Sequence, residues 1–300
     1  MTPLSRRRFL AASGALAGGA FVSGLTFPKL IQAAEKKGGN IKYGLVTYQW
    51  GKDWDLPTLL ANCVKAGVPG IELRTTHKHG VEPALTTEQR AEVQQRFADH
   101  GLTCVGIGSA EQFDHPDPAV LKKAIEATKA FVQLSHDIGG SGVKVRPNSF
   151  HPDVDKQKTI EQIGKSLNEL GEYANGFGQQ IRLEVHGQCS PLPIIKAIMD
   201  VADHPNVGVC WNSNPQDLEG DGLEANFNLV KDRFGETCHI HRMEQESYPF
   251  QKLIDLYVGI DYNGWLMLEE GKIPEDIVGE LARERDMFVK MLADARDRVG

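Results

Sequence analysis

The strongest constraint on the fold is an alternation of short apolar runs with longer amphipathic stretches, which repeats eight times after the first 40 residues. Short apolar runs are typical of buried parallel strands, and the amphipathic stretches are typical of helices that cover them. The predicted strands are residues 41–47, 70–74, 103–107, 143–146, 181–186, 207–211, 237–241 and 265–269. The predicted helices are residues 56–66, 87–100, 119–138, 158–177, 192–202, 223–234, 249–258 and 274–298. Eight consecutive βα units without a long linker predict a single-domain α/β protein, a (β/α)8 TIM barrel.

An open, doubly wound sheet is the alternative for alternating βα units. Such a sheet carries a glycine-rich GxGxxG phosphate turn after its first strand when it binds a dinucleotide. Residues 47–51 of this chain read TYQWG, which lacks that motif. The sequence therefore favours the closed barrel, in which the chemistry lies at the C-terminal ends of the strands.

Residues 1–34 have the pattern of an export signal. The segment SRRRFL at residues 5–10 precedes an Ala/Gly-rich apolar stretch at residues 11–27, and small residues near Ala33 and Ala34 offer a cleavage site. Paired arginines in such a segment are typical of the twin-arginine route. The sequence predicts a signal segment at 1–34, a barrel domain at 35–300, and a periplasmic location reached through the twin-arginine export machinery. An uncleaved anchor is the alternative, because the apolar run approaches membrane-spanning length.

The charge of the chain argues against a nucleic-acid partner. The formal net charge is −7, and removal of the four basic residues in 1–34 changes it to −11. An acidic domain is a poor binder of nucleic acid.

Beyond the signal no segment of about 20 apolar residues occurs, so no membrane contact is expected for the mature domain, which should be soluble. The sequence leaves open whether the domain is a monomer or a homo-oligomer.

The five cysteines are expected to be buried free thiols. They form no CxxC pair, and three of them lie within predicted strands. A chain of this length that folds before export has little need of a disulfide framework, and a zinc site built from cysteines would need paired spacing.

Four predicted strands each end at, or run into, a residue that can bind a metal. These residues are Glu184, Asn212, His239 and Glu269, separated by 28, 27 and 30 residues, which is about one βα unit each. Neighbouring parallel strands would bring all four side chains to one rim of the barrel. Two carboxylates, an imidazole and a carboxamide suit a divalent ion such as Mn²⁺, Mg²⁺ or Co²⁺. For each residue alone, a salt bridge or a structural hydrogen bond is the simpler interpretation.

The motifs LEVHG, VGVCWNSNP, HIHRM and WLMLEEG resemble the strand-end motifs of the xylose isomerase-like TIM barrels, the sugar phosphate isomerase/epimerase superfamily. The similarity covers the whole mature chain and is sharpest at residues 181–271. It implies that Glu184, Asn212, His239 and Glu269 bind a divalent metal, with Mn²⁺ as the first expectation and Mg²⁺, Co²⁺, Fe²⁺ or Zn²⁺ as alternatives. It also implies that Glu184 and Glu269 move protons on the two faces of a sugar carbon.

The chain departs from this family at two of its motifs. The family has Asp where this chain has Asn212, and the change keeps a carbonyl oxygen but removes one negative charge. We expect the cation to be held less tightly and to remain a stronger Lewis acid. Many members have Lys-Asp after the strand-seven His, whereas this chain has His241-Arg242. These departures bear on the substrate and leave the fold prediction unchanged.

The chemistry expected of such a site is proton transfer at the carbon next to a carbonyl. A carboxylate takes that proton from a keto-sugar to give an enediolate. Return of the proton at the neighbouring carbon isomerises the sugar, return on the opposite face epimerises it, and loss of a β leaving group makes the enzyme a lyase or dehydratase. The sequence does not separate these outcomes.

Further rim residues are candidates for binding a small carbohydrate substrate. His186 shares a strand face with Glu184, and Trp50 and Trp211 suit stacking on a sugar. Lys144 and Arg146 suit an anionic or polyhydroxylated substrate, although they would equally neutralise buried carboxylates. The full set of predicted substrate-binding residues is His186, Lys144, Arg146, Trp211, Trp50, Glu72 and His241.

Two other classes of function are alternatives for a barrel of this kind. An apurinic-site endonuclease shares the barrel, but it needs a trinuclear zinc cluster and a basic face for phosphate, and this acidic, exported chain offers neither. The other alternative is a carbohydrate-binding barrel without catalytic activity. Asn212, which replaces the family's Asp, is the residue that supports this alternative.

Overall fold

The computed structural model describes residues 37–299, and these residues form the predicted barrel. The predicted signal segment at residues 1–34 lies outside the described residues. Within the described part of the chain, no helix is long and apolar enough to cross a membrane.

Eight parallel strands form the sheet. They are β1 (Lys42–Val46), β2 (Gly70–Arg74), β3 (Thr103–Gln112), β4 (Gly142–Arg146), β5 (Gln180–Glu184), β6 (Val207–Cys210), β7 (Thr237–Ile240) and β8 (Trp265–Leu268). The order β6-β5-β4-β3-β2-β1-β8-β7 places sequence neighbours side by side, and β1 pairs with β8. Single bridges, Val209 with Phe234 and Asn212 with His239, join β6 to β7 and bring the sheet close to a complete barrel. The fold prediction is confirmed.

One helix follows each strand. The helices are α1 (Leu56–Ala66), α2 (Thr87–Asp99), α3 (Pro118–Asp137), α4 (Lys156–Asn175), α5 (Leu192–Val201), α6 (Leu223–Val230), α7 (Phe250–Gly259) and α8 (Ile277–Val299). Short 3₁₀ turns at Gly187–Cys189 and Pro215–Leu218 lie between strand and helix in the fifth and sixth units, and Lys231–Arg233 follows α6.

Local sequence accounts for many of the element boundaries. The side chain of Asp55 accepts a hydrogen bond from the N–H of Thr58 at the start of α1, and Gly67 ends that helix with a left-handed φ of 66°. A glycine takes that conformation without the steric cost of a Cβ atom. Gly264 precedes β8 without a positive φ, and a Cβ there would lie 2.4 Å from the Tyr262 hydroxyl. Close packing against Tyr262 therefore requires a glycine at this position.

The outer faces of the strands carry the main apolar core, since residues such as Leu45, Ile71, Val143 and Leu183 are buried against the helices. The interior of the barrel has a smaller apolar cluster of Val46, Val105, Trp265 and Met267. All five cysteines are free and buried, as predicted. The rest of the barrel interior is polar, and this polar part forms the site.

Candidate functional site

The inward-facing residues of the strands form two layers at the C-terminal end of the barrel. Side chains two residues apart on a strand point to the same side, so each inward residue is followed by another inward residue nearer the mouth. The lower layer is buried and contains Glu72, Lys144, Glu184, Asn212, His239 and Glu269. The upper layer is half-buried and contains Arg74, Arg146, His186, Asn214 and His241, each two residues beyond a member of the lower layer. Tyr48, which follows β1, joins the upper layer.

Glu184, His239 and Glu269 converge in the lower layer. Their potential ligand atoms all lie within 4.8 Å of one another. His239 Nδ1 is 3.2 Å from Glu269 Oε2 and 3.8 Å from Glu184 Oε1. These three residues come from β5, β7 and the end of β8, so the barrel brings them together from distant parts of the sequence.

Glu72 fixes the orientation of His239 from the other side of the ring. His239 Nε2 donates to Glu72 Oε1 at 3.1 Å, and both side chains are fully buried. Burial opposes the charge on His239, but neighbouring Cys210, Glu72 and Glu269 outweigh it and hold the pKa of His239 well above its ordinary value. A carboxylate that holds one ring nitrogen leaves the other, Nδ1, facing the remaining carboxylates.

Lys144 neutralises Glu184. Its Nζ lies 2.7 Å from Glu184 Oε2, and neither side chain is appreciably exposed. Burial alone would raise the pKa of Glu184, but Lys144 and His239 more than compensate and hold it well below the usual range. Glu184 is therefore ionised at neutral pH and can act as a base.

Asn212 follows β6 and contacts Glu184. Its Nδ2 donates to Glu184 Oε1 at 3.0 Å, while its buried Oδ1 has no hydrogen-bond partner among the described residues. An unpaired buried carbonyl oxygen is costly unless another group satisfies it. The donor set fits a divalent cation: two carboxylates, one imidazole whose other nitrogen is held by Glu72, and one unpaired amide oxygen.

Above this layer is a cavity of about 210 Å³. It is lined by Tyr48, Arg74, Arg146, Glu184, His186, Asn212, Asn214, His241 and Glu269. The volume is below the range of about 300 to 1,000 Å³ typical of drug-sized ligands, so the cavity suits a small molecule such as a monosaccharide.

Two histidines at the mouth are oriented by hydrogen bonds from Nδ1. His186 Nδ1 lies 3.1 Å from Asn148 Oδ1, and His241 Nδ1 lies 2.7 Å from the carbonyl oxygen of Glu269. Burial lowers the pKa of His186, which keeps it neutral near pH 7. A neutral ring that donates from Nδ1 has an acceptor at Nε2, which suits a hydroxyl group of a ligand.

The predicted site residues are thus only partly brought together at the cavity. His186, Arg146 and His241 line it, but Lys144 and Glu72 lie below it, bonded to Glu184 and His239. Lys144 and Glu72 therefore contact the side chains of Glu184 and His239 and do not line the cavity.

The two tryptophans also differ from their predicted positions. Trp50 is fully buried and donates from its indole nitrogen to the carbonyl of Lys272 at 2.6 Å. Trp211 is fully buried against Phe227 and Phe234 on the outer side of the barrel. Trp211 immediately precedes the inward-facing Asn212, so it must face the other way. Both are packing residues.

Tyr48, Arg74 and Asn214 also line the cavity, although they are not among the predicted substrate-binding residues. The available signal for Arg74 and Asn214 was their position two residues after Glu72 and Asn212. That spacing repeats the relation of His186 to Glu184 and of His241 to His239. Tyr48 follows β1 in a turn, where the alternation of strand faces no longer applies.

Comparison with known proteins agrees with this architecture. A sequence model of the family described as xylose isomerase-like TIM barrel matches residues 60–287. A search of curated proteins by sequence found no significant match.

Several solved structures have a similar fold. An L-ribulose 3-epimerase is 17% identical over 86% of this chain and 96% of its own, with a TM-score of 0.73. A 3-keto-D-glucoside 4-epimerase from E. coli is 14% identical over 83% of this chain and 99% of its own, with a TM-score of 0.71. A D-psicose 3-epimerase from Clostridium cellulolyticum H10, solved with D-tagatose, is 17% identical over 85% and 99%, with a TM-score of 0.69. At these identities the likeness concerns the fold.

Proposed function

Because the chain belongs to the xylose isomerase-like TIM barrel family, we propose that it is a metal-dependent sugar isomerase or epimerase that acts on a keto-sugar. The observation that carries the proposal is the convergence of Glu184, His239 and Glu269 beneath a small polar cavity. Three solved structures with this fold are named as sugar epimerases, which supports the same reaction class. A fold alone does not establish an activity, so the site residues bear the argument.

The proposed metal ligands are Glu184, His239, Glu269 and the amide oxygen of Asn212. Mn²⁺ is our first candidate for the ion, because oxygen ligands with one imidazole suit it, and Mg²⁺, Co²⁺, Fe²⁺ or Zn²⁺ are alternatives. When bound, such an ion polarises the carbonyl and the adjacent hydroxyl group of a keto-sugar and so acidifies the carbon that bears this hydroxyl group. Glu72 and Lys144 would position the ligands by holding His239 and Glu184.

The two cavity-lining carboxylates supply the proton transfers. Both are held ionised: burial and the Glu184 charge oppose ionisation of Glu269, but His239 and Lys144 keep the pKa of Glu269 below its ordinary value. Either can take the proton from the carbon next to the carbonyl to give an enediolate. Return of a proton by the other carboxylate on the opposite face completes an epimerisation, and return at the neighbouring carbon completes an isomerisation. His186 and His241 would orient the sugar through its hydroxyl groups.

Proton exchange with solvent tests this proposal. The chain, loaded with Mn²⁺, is incubated in D2O with a panel of keto-sugars and 3-keto-glycosides, and deuterium uptake is followed by NMR. We expect deuterium at the carbon next to the carbonyl, and loss of uptake by at least about 100-fold in Glu184→Gln and Glu269→Gln, since general base catalysis contributes about that much.

Glu270→Gln is the matched control. Glu270 is buried beside Glu269, but its carboxylate accepts from the backbone N–H groups of Gly271 and Lys272 and does not line the cavity. Uptake that survives in both Glu184→Gln and Glu269→Gln would refute the site assignment. Binding of a sugar without any uptake would favour a carbohydrate-binding barrel, and release of an aglycone would favour a lyase.

A further inference from the structure

Two arginines reach the cavity without a carboxylate partner. Arg74 and Arg146 both line it, and within residues 37–299 neither guanidinium forms an ion pair. Each also has a buried Nε with no hydrogen-bond partner among those residues. Most arginines in the polar interior of a protein are paired, so two unpaired ones facing a cavity suggest a ligand.

The backbone of β3 holds both guanidinium groups at the mouth. Arg74 Nη1 donates to the carbonyl of Ser109 at 3.4 Å, and Arg146 Nη2 donates to the carbonyl of Ala110 at 3.0 Å. The two arginines are therefore anchored to consecutive peptide groups from opposite sides of one strand. Arg74 also lies over the Tyr48 ring, with 5.4 Å from Cζ to the ring centre.

A glycine makes room for Arg74. Gly108 of β3 pairs with Arg74 across the sheet, and a Cβ at that position would lie 3.0 Å from Arg74 Cδ and 2.8 Å from Glu72 Oε1. A side chain there would push Arg74 away from its position over the barrel mouth. The approach of Arg74 to the cavity is thus built into the neighbouring strand.

Ion pairing with the carboxylates of the lower layer is the simpler role for these arginines, but each of those carboxylates already has another partner. Glu184 is paired with Lys144, while Glu72 and Glu269 are both bonded to His239. Glu111 also lies near Arg146, and burial raises the pKa of Glu111 while Lys123 and Arg146 oppose the shift. Glu111 does not line the cavity, whereas Arg146 does.

We propose that Arg74 and Arg146 bind an anionic group of the substrate, so that the sugar is an acidic one carrying a carboxylate or a phosphate. Each guanidinium presents a planar fork of donors that matches either anion. The cavity holds a monosaccharide-sized molecule with its reacting carbons at Glu184 and Glu269 and its anionic end at the arginines. This inference rests on the proposed function for the identity of the reacting end, but the anion site can be tested by binding alone.

The test is calorimetric titration of the full chain with four probes. Three are D-fructose, D-fructuronate and D-fructose 6-phosphate, which differ only at carbon 6, and the fourth is inorganic phosphate. We expect at least one acidic sugar to bind about tenfold or more tightly than D-fructose, since hydrogen bonds to charged groups are strong. The advantage should shrink as salt is raised. A preference for fructuronate identifies a carboxylate ligand, and a preference for the phosphate probes identifies a phosphorylated one.

Variants show whether the arginines are responsible. Arg74→Met and Arg146→Met should each remove most of the advantage of the acidic sugar, and Arg74→Lys should remove part of it, because the charge remains but the fork is lost. Arg298→Met is the control and should bind like the wild type, because Arg298 is an exposed residue of α8 that is bonded to Asp255. Circular dichroism confirms that each variant is folded.

The outcomes separate this inference from the proposed function. The inference is wrong if none of the three anions binds, if D-fructose binds as tightly as the acidic sugars, or if the arginine variants keep the preference. Arginine-dependent binding without deuterium uptake would uphold the anion site and refute the proposed reaction. Deuterium uptake with D-fructose, but not with the acidic sugars, would uphold the proposed reaction and refute the anion site.

Discussion

His239 links the carboxylates of Glu72 and Glu269 inside the barrel. Glu72 holds its Nε2, and Glu269 lies 3.2 Å from its Nδ1, so the ring bridges a fully buried carboxylate and one that reaches the cavity. This arrangement explains why Glu72, although it lies on the inner face of β2, does not contact the cavity. The alternation of strand faces predicts which residues point inward, but not how deep each lies, because depth depends on the stagger between neighbouring strands.

Asp217 provides a prediction at the residue scale that is independent of the reaction. It lies buried in the turn Pro215–Leu218, where Tyr248 Oη donates to its Oδ2 at 2.7 Å and the N–H of Asn214 donates at 2.9 Å. Burial outweighs these hydrogen bonds and raises the pKa of Asp217 from 3.8 to about 8. Its neutral form is therefore favoured in the folded state, and its Oδ1 has no partner among the described residues.

The free energy of unfolding should consequently fall as pH rises between the unfolded and the folded pKa of Asp217. The stabilisation by neutral Asp217 is fully present below the unfolded pKa of 3.8 and is lost as pH approaches about 8, at a rate of up to about 1.4 kcal/mol per pH unit. Asp217→Asn, which imitates the neutral acid, should flatten this dependence in urea unfolding at pH 5 and pH 8. Asp221→Asn, an exposed change in the following loop, is the control. A wild-type slope that persists in Asp217→Asn would contradict the assignment.

At the scale of elements, β3 departs most from its predicted extent. The sequence predicts a strand at residues 103–107, whereas β3 continues to Gln112. The extension contains Gly108, Ser109 and Ala110, whose composition gives no β signal. The strand nevertheless continues because Gly108 pairs with Arg74 of β2 and Lys144 of β4, and Gln112 pairs with Arg146 after a register shift. Tertiary pairing overrides local propensity here, and the added residues are those that hold Arg74 and Arg146.

Gly108→Ala tests how closely β3 is packed against the site. The added methyl would meet Glu72 Oε1 at 2.8 Å, and that oxygen is held by His239 and cannot easily move. We expect the free energy of unfolding to fall by about 1 to 3 kcal/mol, as is usual for overpacked interiors. Chemical denaturation measures it. Gly259→Ala is the control, since its methyl would meet only Val299 at an ordinary 3.5 Å. Equal stability of Gly108→Ala and the wild type would show that Glu72 and Arg74 are not tightly packed against Gly108.

At the scale of the whole molecule, the eightfold alternation was sufficient to predict the barrel with its eight strands and eight α-helices. It also placed Glu184, Asn212, His239 and Glu269 at one rim, because parallel strands share a direction. It did not distinguish Lys144, below the cavity, from Arg146, which lines it, because the sequence does not reveal the stagger between strands. Trp211 could have been placed correctly from its parity with Asn212, whereas Trp50 follows β1 in a turn that obeys no such rule. Export through residues 1–34 stays a prediction.

Titration of the chain with Mn²⁺ determines whether Glu184, His239, Glu269 and Asn212 hold one divalent cation. Binding is followed by calorimetry after removal of adventitious metal, in the wild type, Glu269→Gln and the control Glu270→Gln. We expect one Mn²⁺ per chain, with affinity at least about tenfold lower in Glu269→Gln and unchanged in Glu270→Gln. Failure of the wild type to bind Mn²⁺ or any of the alternative ions, or equal affinity in Glu269→Gln, would contradict it.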